Sequence, residues 1–137
     1  MQIISPDTLA RIGEKITLIG LATKAVGAEV AGGNAVALRS ARESLAASEA
    51  DYDKAMGELA PEQCEWVEHL FADALAKARA GRAGYHTDVY MAQIKWADDQ
   101  VRELETITAE LKDARTEWVQ DAMSYDVTAY QVAKLCG

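Results

Sequence analysis

Apolar residues recur at steps of three and four along most of this chain, the spacing that places them on one face of an α-helix. The first run starts near Pro6 and comprises Leu9, Ile12, Ile16, Ile19, Val26 and Val30. Ser5 and Pro6 form a helix-start signature before it, and Gly32-Gly33-Asn34 ends it. The pattern therefore predicts a first helix between these two signals.

Similar runs predict a second helix over about 35–59, a third over 61–80, a long fourth over 87–123 and a short fifth over about 126–135. No stretch alternates apolar and polar residues with the period of two that strands require, so we predict no sheet. The expected fold class is all-α: an antiparallel four-helix bundle with a long coiled-coil-like fourth helix and a short C-terminal helix. We expect one helical domain over residues 1–137.

The predicted fourth helix carries the longest apolar run. Its members are Ile94, Ala97, Val101, Leu104, Ile107, Leu111, Ala114 and Trp118. Their three-and-four spacing resembles the heptad pattern of a coiled coil. We expect this run to be the seam along which the helix packs.

Three glycines, Gly13, Gly20 and Gly27, interrupt the first helix at intervals of seven. Each costs a helix about 1 kcal/mol relative to alanine. They share a face beside the apolar run, so we interpret them as a strip where another helix approaches closely. The alternative is that they are merely tolerated on a helix that is well packed elsewhere.

The composition is that of a globular protein, and the charge is acidic. Apolar residues make up 50% and charged ones 26% of the 137 residues, and the net charge is −8. Residues 87–137 hold ten acidic and five basic residues, a net charge of −5. An acidic surface repels phosphate groups, so we expect no direct binding of nucleic acid or of a membrane surface. A basic protein partner remains open.

The two cysteines, Cys64 and Cys136, have neither disulfide-framework nor zinc spacing. The N-terminal residues lack the basic and apolar regions of a signal peptide. We therefore expect a reduced, cytoplasmic setting.

No residue pattern predicts an enzyme or a cofactor. Glu65 and His69 lie four apart on one predicted helix face, which is at most half of a metal site. Cys64 falls on the inner face of the predicted third helix, where we expect it to pack as a small apolar residue. A metal-binding bundle is the weakest of the functional alternatives.

One basic segment stands out, and it contains Lys77, Arg79, Arg82 and His86. These residues are candidates for contact with an anion. Cations also favour the C-terminal end of a helix, which explains the segment without any ligand.

Several aromatic and apolar residues of the C-terminal half are candidates for partner contact, because such side chains are enriched at interfaces. They are Val89, Trp96, Trp118, Val119, Met123, Tyr125 and Tyr130.

The sequence thus predicts a non-enzymatic helical protein–protein interaction protein, namely an assembly subunit, adaptor or structural component. Its partner is a second copy or another protein, and we expect a homo-oligomer. The alternative is a small acidic inhibitor, of the kind that bacteriophages encode, that blocks a basic surface of nucleic-acid or host-defence machinery.

Overall fold

The computed structural model of the chain describes residues 4–124 and 128–136. Within these ranges the protein is all-helical and has no strand, as predicted. The helices are α1 (Pro6–Gly32), α2 (Ala35–Gly57), α3 (Pro61–Leu70), α4 (Ala72–Arg79), α5 (Tyr85–Ser124) and α6 (Ala129–Cys136).

The predicted end signals of the first helix are confirmed. The Oγ of Ser5 accepts a hydrogen bond from the Thr8 amide at 3.1 Å, and Pro6 takes the first helical position. Gly33 adopts a left-handed conformation with φ of 71°, and its amide donates to the Glu29 carbonyl. Glycine reaches this conformation without the steric cost of a Cβ. The side chain of Asn34 then caps α2 by accepting from two backbone amides.

The prediction of one continuous third helix is wrong, because the structure divides this segment into α3 and α4 at Phe71. The backbone of Phe71 lies outside the helical region, with φ of −98° and ψ of 9°. Its ring is buried in the core, with 1% of its surface exposed. Neither proline nor glycine marks this position, so the sequence pattern gives no sign of the break.

The chain divides into two compact units, Met1–Ala97 and Asp98–Gly137. The first, unit 1, holds the core, and α1 packs against α2 and α4 within it. Its most deeply buried large side chains are Leu9, Ile12, Ile16, Ile19, Val67 and Phe71. The second, unit 2, consists of the C-terminal part of α5 together with α6. The single domain expected over residues 1–137 stays a prediction.

Two of the three glycines of α1 lie close to the start of α5, inside unit 1. A Cβ built on Gly13 would lie 2.9 Å from Cγ1 of Val89, and one on Gly20 would lie 2.5 Å from Cζ of Tyr85. Gly27 is exposed and has nothing within 4 Å of such a Cβ, so close packing was wrongly predicted there. The strip of close approach therefore ends before the last glycine.

Candidate interaction surface

The part of the apolar run of α5 that lies in unit 2 is exposed to solvent. The sequence predicts a packed seam, but these side chains keep between a third and two thirds of their surface in solvent. We call them the apolar stripe: Val101 (52% exposed), Leu104 (50%), Ile107 (37%), Leu111 (61%) and Trp118 (66%). The spacing correctly groups them on one helix face, and no described residue of unit 2 buries that face.

A shallow groove of about 460 Å³ lies at the C-terminal end of the apolar stripe, between α5 and α6. Its lining is mostly apolar and comprises Arg115, Trp118, Val119, Ala122, Gln131, Val132 and Leu135. The start of α6 is fixed by a reciprocal cap, in which the Thr128 hydroxyl accepts from the Gln131 amide and the Gln131 side chain accepts from the Thr128 amide. The groove can receive an apolar side chain from another molecule.

The residues predicted to contact a partner do not form one cluster. Val89 and Trp96 are buried in the core of unit 1, with 3% and 8% exposed, so their assignment to a partner surface is wrong. Both lie off the main run of α5 because they face the core, where Trp96 packs beside Trp66 with ring centroids 6.4 Å apart.

The more C-terminal members of the predicted set lie in unit 2. Trp118, Met123 and Tyr130 are exposed, and Val119 is half-buried in the groove. Tyr125 lies outside the described residues. Trp118 and Val119 therefore belong to the surface formed by the apolar stripe and the groove.

An acidic ridge borders the apolar stripe. It consists of Glu103, Glu110, Glu117 and Asp121. Each of the three glutamates directly precedes a member of the stripe, so the ridge follows the same seven-residue repeat. Among the described residues, no ion partner is found for Glu110, Glu117 or Asp121. The composition shows the net charge of this half. The row that its carboxylates form on one helix face was not predicted from the sequence.

The acidic ridge is locally unfavourable for α5. Glu117 lies four residues from both Asp113 and Asp121, and such like-charge pairs cost a helix about 0.2–0.5 kcal/mol each. The last turn of α5 contains no basic residue to complement the negative end of the helix dipole. The carboxylates of Glu110, Glu117 and Asp121 carry this cost with no ion partner among the described residues.

Two of the four residues of the basic segment, Lys77 and Arg79, form ion pairs within unit 1. Nζ of Lys77 lies 2.6 Å from the Asp88 carboxylate. The Arg79 guanidinium makes two hydrogen bonds to Glu49, of 3.1 and 2.9 Å, and lies over the ring of Tyr52. The bond to Glu49 raises the pKa of Arg79.

These pairs correct the anion-contact prediction for Lys77 and Arg79, because carboxylates of the same chain already occupy both. Arg82 and His86 are exposed, and His86 stacks on the ring of Tyr90 at 5.1 Å between centroids. These contacts within unit 1 account for Lys77, Arg79 and His86 without a ligand.

Cys64, Glu65 and His69 are the residues that the sequence singles out for possible chemistry. Burial raises the pKa of the Cys64 thiol, and the neighbouring Glu68 carboxylate raises it further. A raised pKa keeps the thiol protonated and lowers its nucleophilicity. Within the described ranges no three His, Cys, Asp or Glu side chains cluster in a way that could hold a metal ion. Glu65 and His69 both border an open surface depression on α3.

None of the described helices has a stretch that is both long and apolar enough to cross a membrane. Comparison of the chain with protein-family models, curated proteins and solved structures finds no significant match. The apolar stripe, the acidic ridge and the groove together form the candidate interaction surface.

Proposed function

We propose that this chain is a non-enzymatic helical protein that binds another protein chain, as an assembly subunit, adaptor or structural component. The exposed apolar stripe of unit 2 carries the proposal. Isolated exposed apolar side chains are common on protein surfaces, whereas a contiguous row of them marks an interaction site. The partner is either a second copy, as the sequence predicts, or a different protein.

The size of the apolar stripe limits the apolar contribution to the free energy of binding. Full burial of one such side chain contributes about 1.5–3 kcal/mol, so covering the exposed half of five contributes roughly 4–8 kcal/mol. Association costs about 4–15 kcal/mol in lost freedom, and the partner's own apolar face adds a similar gain. The stripe is therefore suited to a reversible complex whose strength depends on the surrounding polar contacts.

A second candidate function is favoured by the acidic ridge. An acidic inhibitor, of the kind that phages encode, would use the ridge to cover a basic surface of nucleic-acid or host-defence machinery. Its binding would weaken strongly with salt, because exposed charges are screened over about 8–10 Å at physiological ionic strength.

The finer architecture and the compartment are part of this proposal. We place α1, α2, α3 with α4, and α5 as the four members of an antiparallel bundle, with α6 as the short C-terminal helix. In support, α1 contacts α2 and α4, and Gly13 and Gly20 of α1 lie against the first turns of α5. The sparse cysteines are consistent with a cytoplasmic setting.

The test of the proposed function is association that depends on the apolar stripe. The solution mass is measured by light scattering across a range of concentrations, at low and high salt, for the wild type and for Leu104→Gln/Leu111→Gln. Glutamine keeps the helix propensity close to that of leucine. The same proteins are titrated with a labelled amphipathic peptide of about six helical turns, which carries a leucine stripe with neutral Gln borders.

We expect either a solution mass of at least twice the 14.8 kDa of one chain or binding of the peptide, and loss of that association in the double variant. Leu21→Gln/Val36→Gln is the matched control, since both residues are exposed apolar side chains of unit 1, at 54% and 81%. A chain that stays monomeric at every concentration and binds no amphipathic peptide would overturn the proposal.

A further inference from the structure

We propose that the occupant of the apolar stripe is an amphipathic helix of another protein whose apolar face is bordered by Lys and Arg. This inference rests on the proposed function and identifies the chemistry of the partner. It follows from the charges that lie beside the stripe, which distinguish a second copy of this chain from a basic helix.

A second copy fits these charges poorly. In an antiparallel pair of α5 helices, the acidic ridge of one copy would face the acidic ridge of the other. In a parallel pair, the glutamates at 103, 110 and 117 would face Thr108, Arg115 and Ala122 of the second copy. Of Glu110 and Glu117, only Glu110 would then meet a cation, so a second copy compensates the ridge at most in part in either orientation.

The border opposite the acidic ridge is also partly occupied. Arg115 and Ala122 line the groove together with Val132 and Leu135 of α6. Arg115, the one cation that would face the acidic ridge of a parallel second copy, therefore already lies beside α6.

A basic amphipathic helix fits the acidic ridge, the apolar stripe and the groove at once. Val101 to Trp118 spans about 26 Å of straight helix, which matches a partner helix of about five turns. Lys or Arg beside the partner's apolar residues would lie along the acidic ridge, and an apolar side chain at one end would enter the groove. Complementary charge then selects the partner and accelerates encounter.

The experiment compares peptides that differ only in their borders. Three labelled amphipathic peptides share one leucine stripe and carry Lys, Gln or Glu beside it, and each is titrated with the full chain by fluorescence anisotropy. We expect the Lys peptide to bind at least about tenfold more tightly than the Gln peptide at low salt. The Glu peptide is expected to bind most weakly, and the differences should shrink as salt rises.

Neutralising the acidic ridge separates this effect from folding. The variant Glu110→Gln/Glu117→Gln/Asp121→Asn should lose the preference for the Lys peptide. Its helicity, measured by circular dichroism, should stay the same or rise because like-charge pairs are removed. The control Glu14→Gln/Glu43→Gln/Asp51→Asn changes the net charge equally on exposed positions of unit 1 and should keep the preference.

Each contrary result has a distinct meaning. Equal binding of the Lys and Gln peptides would overturn this inference while leaving the proposed function intact, and so would a stripe-dependent dimer that excludes the Lys peptide. Loss of the preference in the control variant would overturn it too, since overall charge rather than the ridge would then be responsible. A monomer that binds none of the peptides would overturn both the inference and the proposed function.

Discussion

The substitution Gly20→Ala, with Gly27→Ala as its control, tests whether α1 needs a glycine where α5 approaches it. Both glycines lie inside the same helix, so the chemical change and the gain in helix propensity are alike. A Cβ at position 20 would lie 2.5 Å from Cζ and 2.7 Å from Cδ2 of Tyr85, whereas one at position 27 meets nothing within 4 Å. The two variants therefore differ mainly in the contact with the Tyr85 ring.

The expected magnitudes follow from two opposing terms. Alanine gains about 1 kcal/mol over glycine in a helix interior, so Gly27→Ala should stabilise the protein by about that amount. At position 20 the same gain is opposed by overpacking against the Tyr85 ring, which typically costs about 1–3 kcal/mol. Gly20→Ala should therefore range from neutral to about 2 kcal/mol destabilising, and the two variants should differ by about 1–3 kcal/mol.

Urea unfolding monitored by tryptophan fluorescence measures this difference within unit 1. A Trp118→Phe background removes the exposed indole of unit 2 and leaves Trp66 and Trp96, whose rings lie 6.4 Å apart. Denaturant slopes of about 1–3 kcal/mol/M place the two midpoints roughly 1 M apart. Repeating the pair in a Tyr85→Ala background should remove most of the difference, as in a double-mutant cycle.

Two results would contradict the reasoning. If Gly20→Ala raises the unfolding midpoint as much as Gly27→Ala, the Tyr85 ring moves aside at no cost and position 20 does not require glycine. If the difference persists after Tyr85→Ala, a contact other than the ring of Tyr85 is responsible.

Three further predictions concern other contacts of unit 1. Thr23→Val should stabilise the fold by about 1 kcal/mol in the same unfolding assay, because the buried Thr23 hydroxyl has no hydrogen-bond partner among the described residues; a destabilised variant would contradict this. In a Cys136→Ser background, Cys64 should react with iodoacetamide more slowly in the folded protein than in urea at mildly alkaline pH, since its raised pKa reduces the thiolate fraction; equal rates would refute this. Glu49→Gln should cost at most about 1 kcal/mol, with a loss that shrinks in high salt, because its ion pair with Arg79 is only half-buried; a salt-independent loss would speak against an ionic origin.

The helices of unit 1 could be predicted where local chemistry marks their ends. Ser5 and Asn34 cap α1 and α2 through their own side chains, and Gly33 supplies the left-handed turn between them. These signals depend on a few neighbouring residues, so the sequence carries them directly. The break at Phe71 has no such signal, because it is associated with the burial of one ring in a core assembled from distant residues.

The candidate surface was predictable in part for a similar reason. The three-and-four period correctly states which residues of α5 share a face, but it does not state what covers that face. Val89 and Trp96 lie off the main run and are buried, whereas Leu111 and Trp118 lie on it and are exposed. Periodicity is local, whereas burial depends on which elements come together in three dimensions.

The short turn between α1 and α2 has a consequence for the order in which the protein folds. Only Gly33 and Asn34 separate the two helices, which pack against each other, so the hairpin closes a very small loop and should form early. The contact between Val89 and Gly13 joins residues that are far apart in the chain, so it should form later. We therefore expect Leu45→Ala, in the hairpin, to slow folding and Val89→Ala chiefly to speed unfolding; the reverse partition in stopped-flow kinetics would show that the nucleus lies at the α1–α5 contact.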